Sequence, residues 1–263
     1  MIARVSSSVE NWRAKILSRY DAEEYRLWRD FKKPAVFFGL YHPRDWLVFM
    51  LHRGKRTAVF CGSDILQIGL AWRLLKRLKA TWICENEVEA GVLKLMLGRD
   101  DIWVEPLCFS ESDEFPVCYQ PSDRPSVFIH INHNAEAESG WAPIERIAPM
   151  VEEISFHIYG KMGARLDAPS NVVFHGWVPE EQFNQEIRGY QAALRLHEWD
   201  GFAETLAKSV LLGQWPISRI RYPLIDSYRD EAELIEKLRD LKNKKEPNWE
   251  GHDYYVHKFE NSL

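Results

Sequence analysis

The sequence of 263 residues contains only four cysteines, and none of them belongs to a CxxC pair. Three of the four lie inside short apolar runs, an arrangement that favours buried free thiols over a zinc site or a disulfide framework. The chain has no apolar run near the ~20 residues that span a bilayer, and no N-terminal segment with the pattern of a signal peptide. These absences predict a cytoplasmic protein without a transmembrane segment, and they leave peripheral membrane contact open.

Several short motifs that carry known chemistry are also missing. The sequence has no GxGxxG, no GxxxxGK[ST], no GxSxG and no HExxH, which argues against a dinucleotide fingerprint, a P-loop, a nucleophile elbow and a zinc protease site. His130 and His133 lie close together near a predicted strand end, but no third ligand is near. We therefore expect no metal site and no cofactor.

The charge balance bears on the class of partner. The net charge is −5, with 46% hydrophobic and 28% charged residues, which predicts a folded domain and argues against a protein that coats nucleic acid. The N-terminal segment is nevertheless basic, which is typical of a solvated helix face but keeps a local basic patch open. Its cations are Arg19, Arg26, Arg29, Lys32 and Lys33.

Short apolar runs alternate with helix-like segments along most of the chain, and this rhythm is typical of βαβ units with a parallel sheet. A polar, proline-containing stretch at residues 110–125 interrupts it. We predict an N-terminal α/β domain over residues 1–120 and a C-terminal α/β domain over residues 121–263, after a helix near residues 8–31. The strand candidates are residues 35–38, 57–61, 81–84, 102–104, 127–131, 154–159, 172–174, 192–196 and 215–218.

Ligands of an open parallel sheet bind beyond the C-terminal ends of its strands. In the first half, this rule selects Gly39, Tyr41, Ser63 and Asp64. We interpret these residues as the acceptor side of a cleft between the two halves. Capping of the following helix by Ser63 or Asp64 is the alternative.

Two stretches of the second half carry a family resemblance. Residues 171–183 read NVVFHGWVPEEQF, and residues 194–217 read LRLHEWDGFAETLAKSVLLGQWPI. Together they resemble the donor-binding half of GT-B glycosyltransferases of retaining family 4, in which an acidic-Gly-Phe loop precedes a helix and a Gly-x-Pro turn. The Asp before the Gly, with an Arg upstream, particularly resembles short glycosyltransferases of archaea and viruses.

The resemblance implies a GT-B fold, with two Rossmann-like parallel-sheet domains facing a cleft. It also implies a metal-independent, retaining glycosyltransferase of the hexosyltransferase type, which uses a nucleotide-diphosphate sugar as co-substrate. Asp200 matches the acid that bonds sugar hydroxyls and is the catalytic candidate, while the helix N-terminus after it suits a diphosphate. The expected donor-binding residues are Gly201, Phe202, Ala203, Glu204, Lys208, Arg195, Lys161 and His133.

The sequence departs from the family pattern at Lys208, where the family has an acid that holds the ribose hydroxyls. Lysine only donates hydrogen bonds, so Glu204, one turn earlier, is placed either to take over part of that role or to pair with Lys208. The usual basic pair after the first strand of this half is absent, which makes Arg195 and Lys161 the nearest sources of positive charge for the phosphates. A catalytically impaired GT-B-like protein that binds a nucleotide sugar or a partner is the alternative. The acceptor stays open among glycans, lipids, proteins and modified DNA bases.

Overall fold

A computed structural model describes residues 1–131, 140–162, 165 and 167–261. The described residues form two compact units. Unit 1 comprises Met1–Glu111 with Trp199–Phe202, and unit 2 comprises Ser112–Glu198 with Ala203–Asn261. The predicted division into an N-terminal domain over residues 1–120 and a C-terminal domain over residues 121–263 stays a prediction.

Unit 1 is built on a six-stranded sheet in the order β2-β1-β3-β4-β5-β6, and all of its strand pairs are parallel. The predicted strands at residues 35–38, 57–61, 81–84 and 102–104 are confirmed. The six strands are Ile2–Val5 (β1), Glu23–Glu24 (β2), Ala35–Phe38 (β3), Arg56–Val59 (β4), Thr81–Cys84 (β5) and Ile102–Val104 (β6).

The helices of unit 1 are shorter than the sequence pattern indicates. The predicted helix near residues 8–31 is wrong as a single element: Asp21 has a φ of 43°, and β2 follows it at the sheet edge. Between β4 and β5 the chain forms two 3₁₀ segments and only one turn of α-helix. The α-helices are Arg13–Arg19 (α1), Leu27–Asp30 (α2), Pro43–Leu51 (α3), Trp72–Leu75 (α4) and Glu87–Leu97 (α5), and the 3₁₀ segments are Ser7–Trp12, Ser63–Gln67 and Gly69–Ala71.

Apolar side chains on both faces of the sheet hold unit 1 together. All four residues of β3 are buried, and Phe37 packs into one hydrophobic cluster while Val36 and Phe38 pack into the cluster on the other face. Such two-sided burial is typical of a parallel strand covered by helices. Cys61, Cys84 and Cys108 are buried free thiols, as predicted, and Cys118 is free but partly exposed.

Unit 2 repeats the architecture with a parallel sheet in the order β12-β11-β10-β7-β8-β9. The sequence predicted the strands near residues 127–131, 154–159, 172–174, 192–196 and 215–218, but not β12. These strands are Ser126–Ile131 (β7), Ser155–Gly160 (β8), Val172–Gly176 (β9), Ala192–Arg195 (β10), Ile217–Ser218 (β11) and Asp226–Ser227 (β12).

Five α-helices complete the described part of unit 2. The last of them was not predicted, although Asn248 caps it by accepting a hydrogen bond from the N–H of Gly251 at 3.0 Å. No helix among the residues placed in the structure is long and apolar enough to cross a membrane. The helices are Trp141–Ile147 (α6), Glu180–Glu186 (α7), Glu204–Leu211 (α8), Glu231–Asp240 (α9) and Trp249–Glu260 (α10), with 3₁₀ segments at Ser112–Glu114, Ala148–Met150, Ile187–Gly189 and Leu241–Asn243.

Candidate functional site

The first two loops of the candidate site follow β3 and β4 in unit 1. The fully buried carboxyl of Asp64 joins them, because it accepts the N–H of Leu40 at 2.8 Å and the N–H of Cys61 at 3.0 Å. The hydroxyl of Tyr41 donates to the carbonyl of Cys61 at 2.5 Å. Asp64 therefore fixes the backbone of both loops, which agrees better with a structural role in the site than with direct contact to an acceptor.

The third loop follows β5 and carries two buried glutamates. Glu85 is 4% exposed and Glu89 is 1% exposed. The N–H of Glu85 donates to Oε2 of Glu89 at 2.9 Å, and Asn86 caps α5 by accepting the N–H of Glu89 at 3.0 Å. Oε1 of Glu89 is buried with no hydrogen-bond partner among the described atoms.

The Asp200-Gly201-Phe202 loop packs against these strand-end loops within unit 1. The N–H of Phe202 donates to Oε2 of Glu85 at 3.1 Å, and the Asn86 carboxamide donates to the carbonyl of Asp200 at 2.7 Å. The indole N–H of Trp199 adds a bond of 3.3 Å to the carbonyl of Gly62. These three hydrogen bonds hold the chain on both sides of Asp200 in place.

Two glycines make this close approach possible. A Cβ on Gly201 would lie 1.9 Å from Oε2 of Glu85, and a Cβ on Gly62 would lie 2.9 Å from the backbone nitrogen of Gly201. Gly62 also has a φ of 103°, which side chains with a Cβ rarely adopt. The Gly201 that the sequence assigns to donor binding is therefore also required for contact with Glu85.

The buried acids of unit 1 hold protons more strongly than ordinary carboxyls. Burial raises the pKa of Asp64 to about 7, against the lowering effect of the N–H groups of Leu40 and Cys61. Burial also raises the pKa of Glu85 and of Glu89, and the charge of Glu89 adds to the shift at Glu85. We call Asp64, Glu85 and Glu89 the acid cluster. Because ionised neighbours repel each other in a poorly solvated site, we expect part of the acid cluster to be protonated near neutral pH.

In unit 2, Arg195 ends β10, and His130 lies one residue before the end of the paired strand β7. The register that sets Ala193 opposite Phe128 brings Arg195 level with His130 if it continues, and the charge of Arg195 acts on His130. Burial, together with the charges of Arg195 and Lys208, lowers the pKa of His130 to about 4. A neutral imidazole beside an arginine is an arrangement that suits a phosphate, because the guanidinium supplies the charge.

Lys208 is engaged inside unit 2. It is 5% exposed, and its ammonium donates to Oε1 of Glu180 and to Oδ1 of Asn184, both at 2.9 Å. The same nitrogen lies 5.5 Å from the ring centre of Phe115 and 5.8 Å from that of Phe183. Among the residues that the structure describes, Lys208 pairs with α7 and not with Glu204 of its own helix.

The other predicted residues occupy simpler positions. Gly39 follows β3 with a φ of 71°, Ser63 is exposed, and Lys161 is exposed directly after β8. Ala203 precedes α8 without a side-chain cap bond, and Glu204 begins the helix. His133 lies outside the described residues. Within the described ranges, no three His, Cys, Asp or Glu side chains stand together to hold a metal ion.

Neither Glu85 nor Glu89 is among the residues that the sequence analysis selects. The available signal was an acid directly after a buried strand, with a second acid four residues later on the next helix. At that spacing, the second carboxyl lies in the first turn of the helix and can accept the backbone N–H of the first acid.

We predict a thermodynamic coupling between Gly201 and Glu85. Gly201→Ala should lower the free energy of unfolding by about 2–3 kcal/mol, because the added methyl group collides with a buried, hydrogen-bonded carboxyl. In a Glu85→Ala background, the same change should cost less than about 1 kcal/mol. Urea unfolding of the four proteins in this cycle measures the coupling. Gly91→Ala in α5, where no atom lies within 4 Å of the added Cβ, is the control; additive effects in the cycle would contradict the contact.

We also predict that the acid cluster makes stability fall with rising pH. A carboxyl whose pKa is raised on folding contributes stability that is present below its unfolded value near pH 4.5, and that stability is lost as pH rises through its folded value. Glu89→Gln imitates the protonated acid, so this variant should lose less stability than the wild type above about pH 5. Urea unfolding at a series of pH values tests this, with exposed Glu181→Gln as the control. Parallel curves for wild type and Glu89→Gln would sink the prediction.

The comparisons with known proteins find similarity at the level of structure only. No family model and no curated protein matches the chain. Among solved structures, the chain is similar to HepE of Anabaena in complex with UDP and glucose, with a TM-score of 0.68 and 11% identity over 98% of this chain and 95% of that one. It is similar to the lipopolysaccharide outer core galactosyltransferase WaaB, with a TM-score of 0.59 and 13% identity over 96% and 77% of the two chains.

In a third similar structure, this chain matches a smaller share of the other protein's length. The pneumococcal O-GlcNAc transferase GtfA in complex with UDP and GlcNAc has a TM-score of 0.57 and 12% identity, over 87% of this chain and 55% of that one. The chain therefore spans almost the whole of HepE but about half of GtfA. With two six-stranded parallel sheets and these similarities, the chain has the GT-B fold.

Proposed function

We propose that the protein transfers a sugar from a nucleotide-diphosphate sugar to an acceptor. The observation that carries the proposal is the Asp-Gly-Phe loop, which three hydrogen bonds fix and which leads directly into α8. The likeness to HepE, which was solved with UDP and glucose, supports it. We propose further that the enzyme is a metal-independent, retaining hexosyltransferase of the short family 4 type, that it needs no cofactor, and that it acts in the cytoplasm.

Asp200 is the proposed contact to the sugar. A carboxylate accepts hydrogen bonds from two sugar hydroxyls, and a backbone fixed in advance reduces the entropy lost on binding. The N–H of Phe202 already donates to Glu85. We therefore assign the diphosphate to the first turn of α8 at Ala203 and Glu204, where N–H groups and the helix dipole favour an anion.

The positive charge for the phosphates comes from Arg195 in this proposal, with Lys161 as a second source. The charge of Arg195 acts on neutral His130 near the strand ends. We assign Lys208 to holding α7 against α8, because both of its hydrogen bonds go to α7. Glu204 is then the proposed acceptor for the ribose hydroxyls.

A second candidate function is favoured by the same lysine. If Lys208, at the position of the missing ribose-binding acid, serves only to pack α7 against α8, the protein binds a nucleotide sugar or a partner without transferring the sugar. Binding and turnover must therefore be measured separately. Release of nucleoside diphosphate from the donor, with water or a glycan, lipid, protein or DNA acceptor, distinguishes the transferase from the binding protein.

We predict that one nucleotide-diphosphate sugar stabilises the native protein. At 100 times its Kd the gain is about 2.7 kcal/mol, which thermal-shift measurements with the UDP, GDP and ADP conjugates of glucose, mannose and GlcNAc detect. Asp200→Asn should abolish the shift, because the amide keeps only one accepting oxygen and replaces the other with a donating NH2 group. Glu198→Gln, two residues away with a side chain 82% exposed, is the matched control. No response from the wild type to the whole panel would contradict the proposal.

We predict that Lys208 stabilises unit 2 and does not hold the donor. Lys208→Met keeps the apolar stem over the Phe115 and Phe183 rings and should cost about 1 kcal/mol. Lys208→Glu sets a buried carboxylate against Glu180 and should cost about 3 kcal/mol or more. Urea unfolding gives both values, and the donor-induced thermal shift of Lys208→Met should equal that of the wild type. A lost shift in this folded variant would assign Lys208 to the donor.

A further inference from the structure

Charge is unevenly distributed within unit 1. Residues 31–84 contain ten Lys and Arg residues but only two acids, Asp45 and Asp64, in a chain whose net charge is −5. The acids of the candidate site, Asp64, Glu85 and Glu89, follow the C-terminal ends of strands. The excess of positive charge must therefore lie elsewhere on this unit.

The cations gather where the chain enters three neighbouring strands. β3, β4 and β5 are adjacent and parallel, so the segments that precede them meet at the N-terminal edge of the sheet. Each of these segments is basic and free of acids: residues 31–34 read FKKP, residues 52–55 read HRGK, and residues 76–80 read KRLKA. The exposed cations at this edge that have no ion pair with any described residue are Lys32, Arg53, Lys55, Lys76, Arg77 and Lys79.

A surface cavity shows that the three segments converge. It has a volume of about 510 Å³, and its lining includes Lys55 and Lys79 together with Pro34, Ala35 and Ala80. No acidic side chain lines it. Lysines from the segments before β4 and β5 thus border one recess.

Exposed apolar side chains precede the same three basic segments. Trp28 is 86% exposed and lies four residues before Lys32; Leu51 is 52% exposed and lies two residues before Arg53; Leu74 is 55% exposed and lies two residues before Lys76. A single exposed leucine on a protein surface needs no explanation. The same pairing of a large apolar residue with cations at three adjacent connections requires an explanation.

We propose that this edge of unit 1, the basic edge, docks on an anionic lipid bilayer. Clustered lysines and arginines are attracted to the negative surface of such a membrane, while leucine and tryptophan side chains enter the boundary between headgroups and acyl chains. Phosphate-bearing polymers such as nucleic acid would use the cations but would gain nothing from the leucines. The proposal does not depend on the glycosyl-transfer function, because the basic edge lies at the opposite ends of the strands from Asp64 and Glu85.

Sedimentation with vesicles tests the proposal. The wild type should co-sediment with vesicles of phosphatidylcholine and phosphatidylglycerol, should bind pure phosphatidylcholine much less, and should lose binding at high salt. Lys55→Glu with Lys79→Glu should weaken binding by at least tenfold, since each cation near an anionic surface contributes about fivefold to the affinity. Leu74→Ser should weaken binding while leaving the charge intact. The matched control is Arg124→Glu with Lys242→Glu, two exposed cations of unit 2.

Each other outcome overturns the proposal. Absence of binding to the anionic vesicles, equal binding to both lipid compositions, or equal loss in the control variant would refute docking at the basic edge. Binding to a heparin or DNA column that the Lys55→Glu, Lys79→Glu variant loses, without binding to vesicles, would assign the edge to a polyanion in solution. Circular dichroism of all variants checks that they are folded, and the donor-induced thermal shift reports on glycosyl transfer separately.

Discussion

The candidate site depends on one hydrogen bond, which the N–H of Phe202 donates to the buried carboxyl of Glu85. The acceptor is 4% exposed, so the bond replaces water that the carboxyl has lost, and breaking it would leave a buried oxygen unpaired. Gly201 is part of the same constraint, because only a residue without a Cβ lets the chain come this close. Asp200, one residue earlier, takes its position from this contact and from Asn86.

At first sight, the buried acids beneath the Asp200-Gly201-Phe202 loop are unfavourable. The loop is proposed to bind an anionic ligand, and ionised acids would repel it. The raised pKa values of these acids reduce this repulsion, because a carboxyl that holds its proton carries no negative charge. The acid cluster therefore accepts hydrogen bonds from backbone N–H groups with less negative charge than three ionised carboxylates would carry.

The parallel sheets could be predicted from the sequence, because two-sided burial leaves an unambiguous apolar run such as residues 35–38 in β3. The edge strand β2 could not be predicted, since its two glutamates carry no such signal. The sequence pattern around α4 favours a longer helix than the structure has. Leucines and cations alternate through residues 72–79 with helical spacing, yet the chain ends the helix at Leu75 and leaves the remainder as an exposed, basic connection.

Part of the site could be predicted because its chemistry is local. An acid and a glycine directly before a helix indicate a ligand-binding loop in any α/β protein, whatever surrounds them. The contact with Glu85 spans 117 positions of the chain, and no sequence pattern in either segment indicates that the two are in contact. Lys208 illustrates the same limit: the sequence shows that the acid is absent, but only the packing of α7 shows that the ammonium is already engaged.

The different charges at the two edges of the unit 1 sheet follow from a single property of parallel strands. Every strand begins at one edge and ends at the other, so residue preferences that repeat before or after each strand accumulate at one edge. Acids follow β4 and β5, and cations precede β3, β4 and β5, which gives this part of the sheet a buried acidic layer at one edge and exposed cations at the other. An antiparallel sheet would mix the two sets. The parallel order β3-β4-β5 is thus the reason that charges scattered along 54 residues act together as one surface.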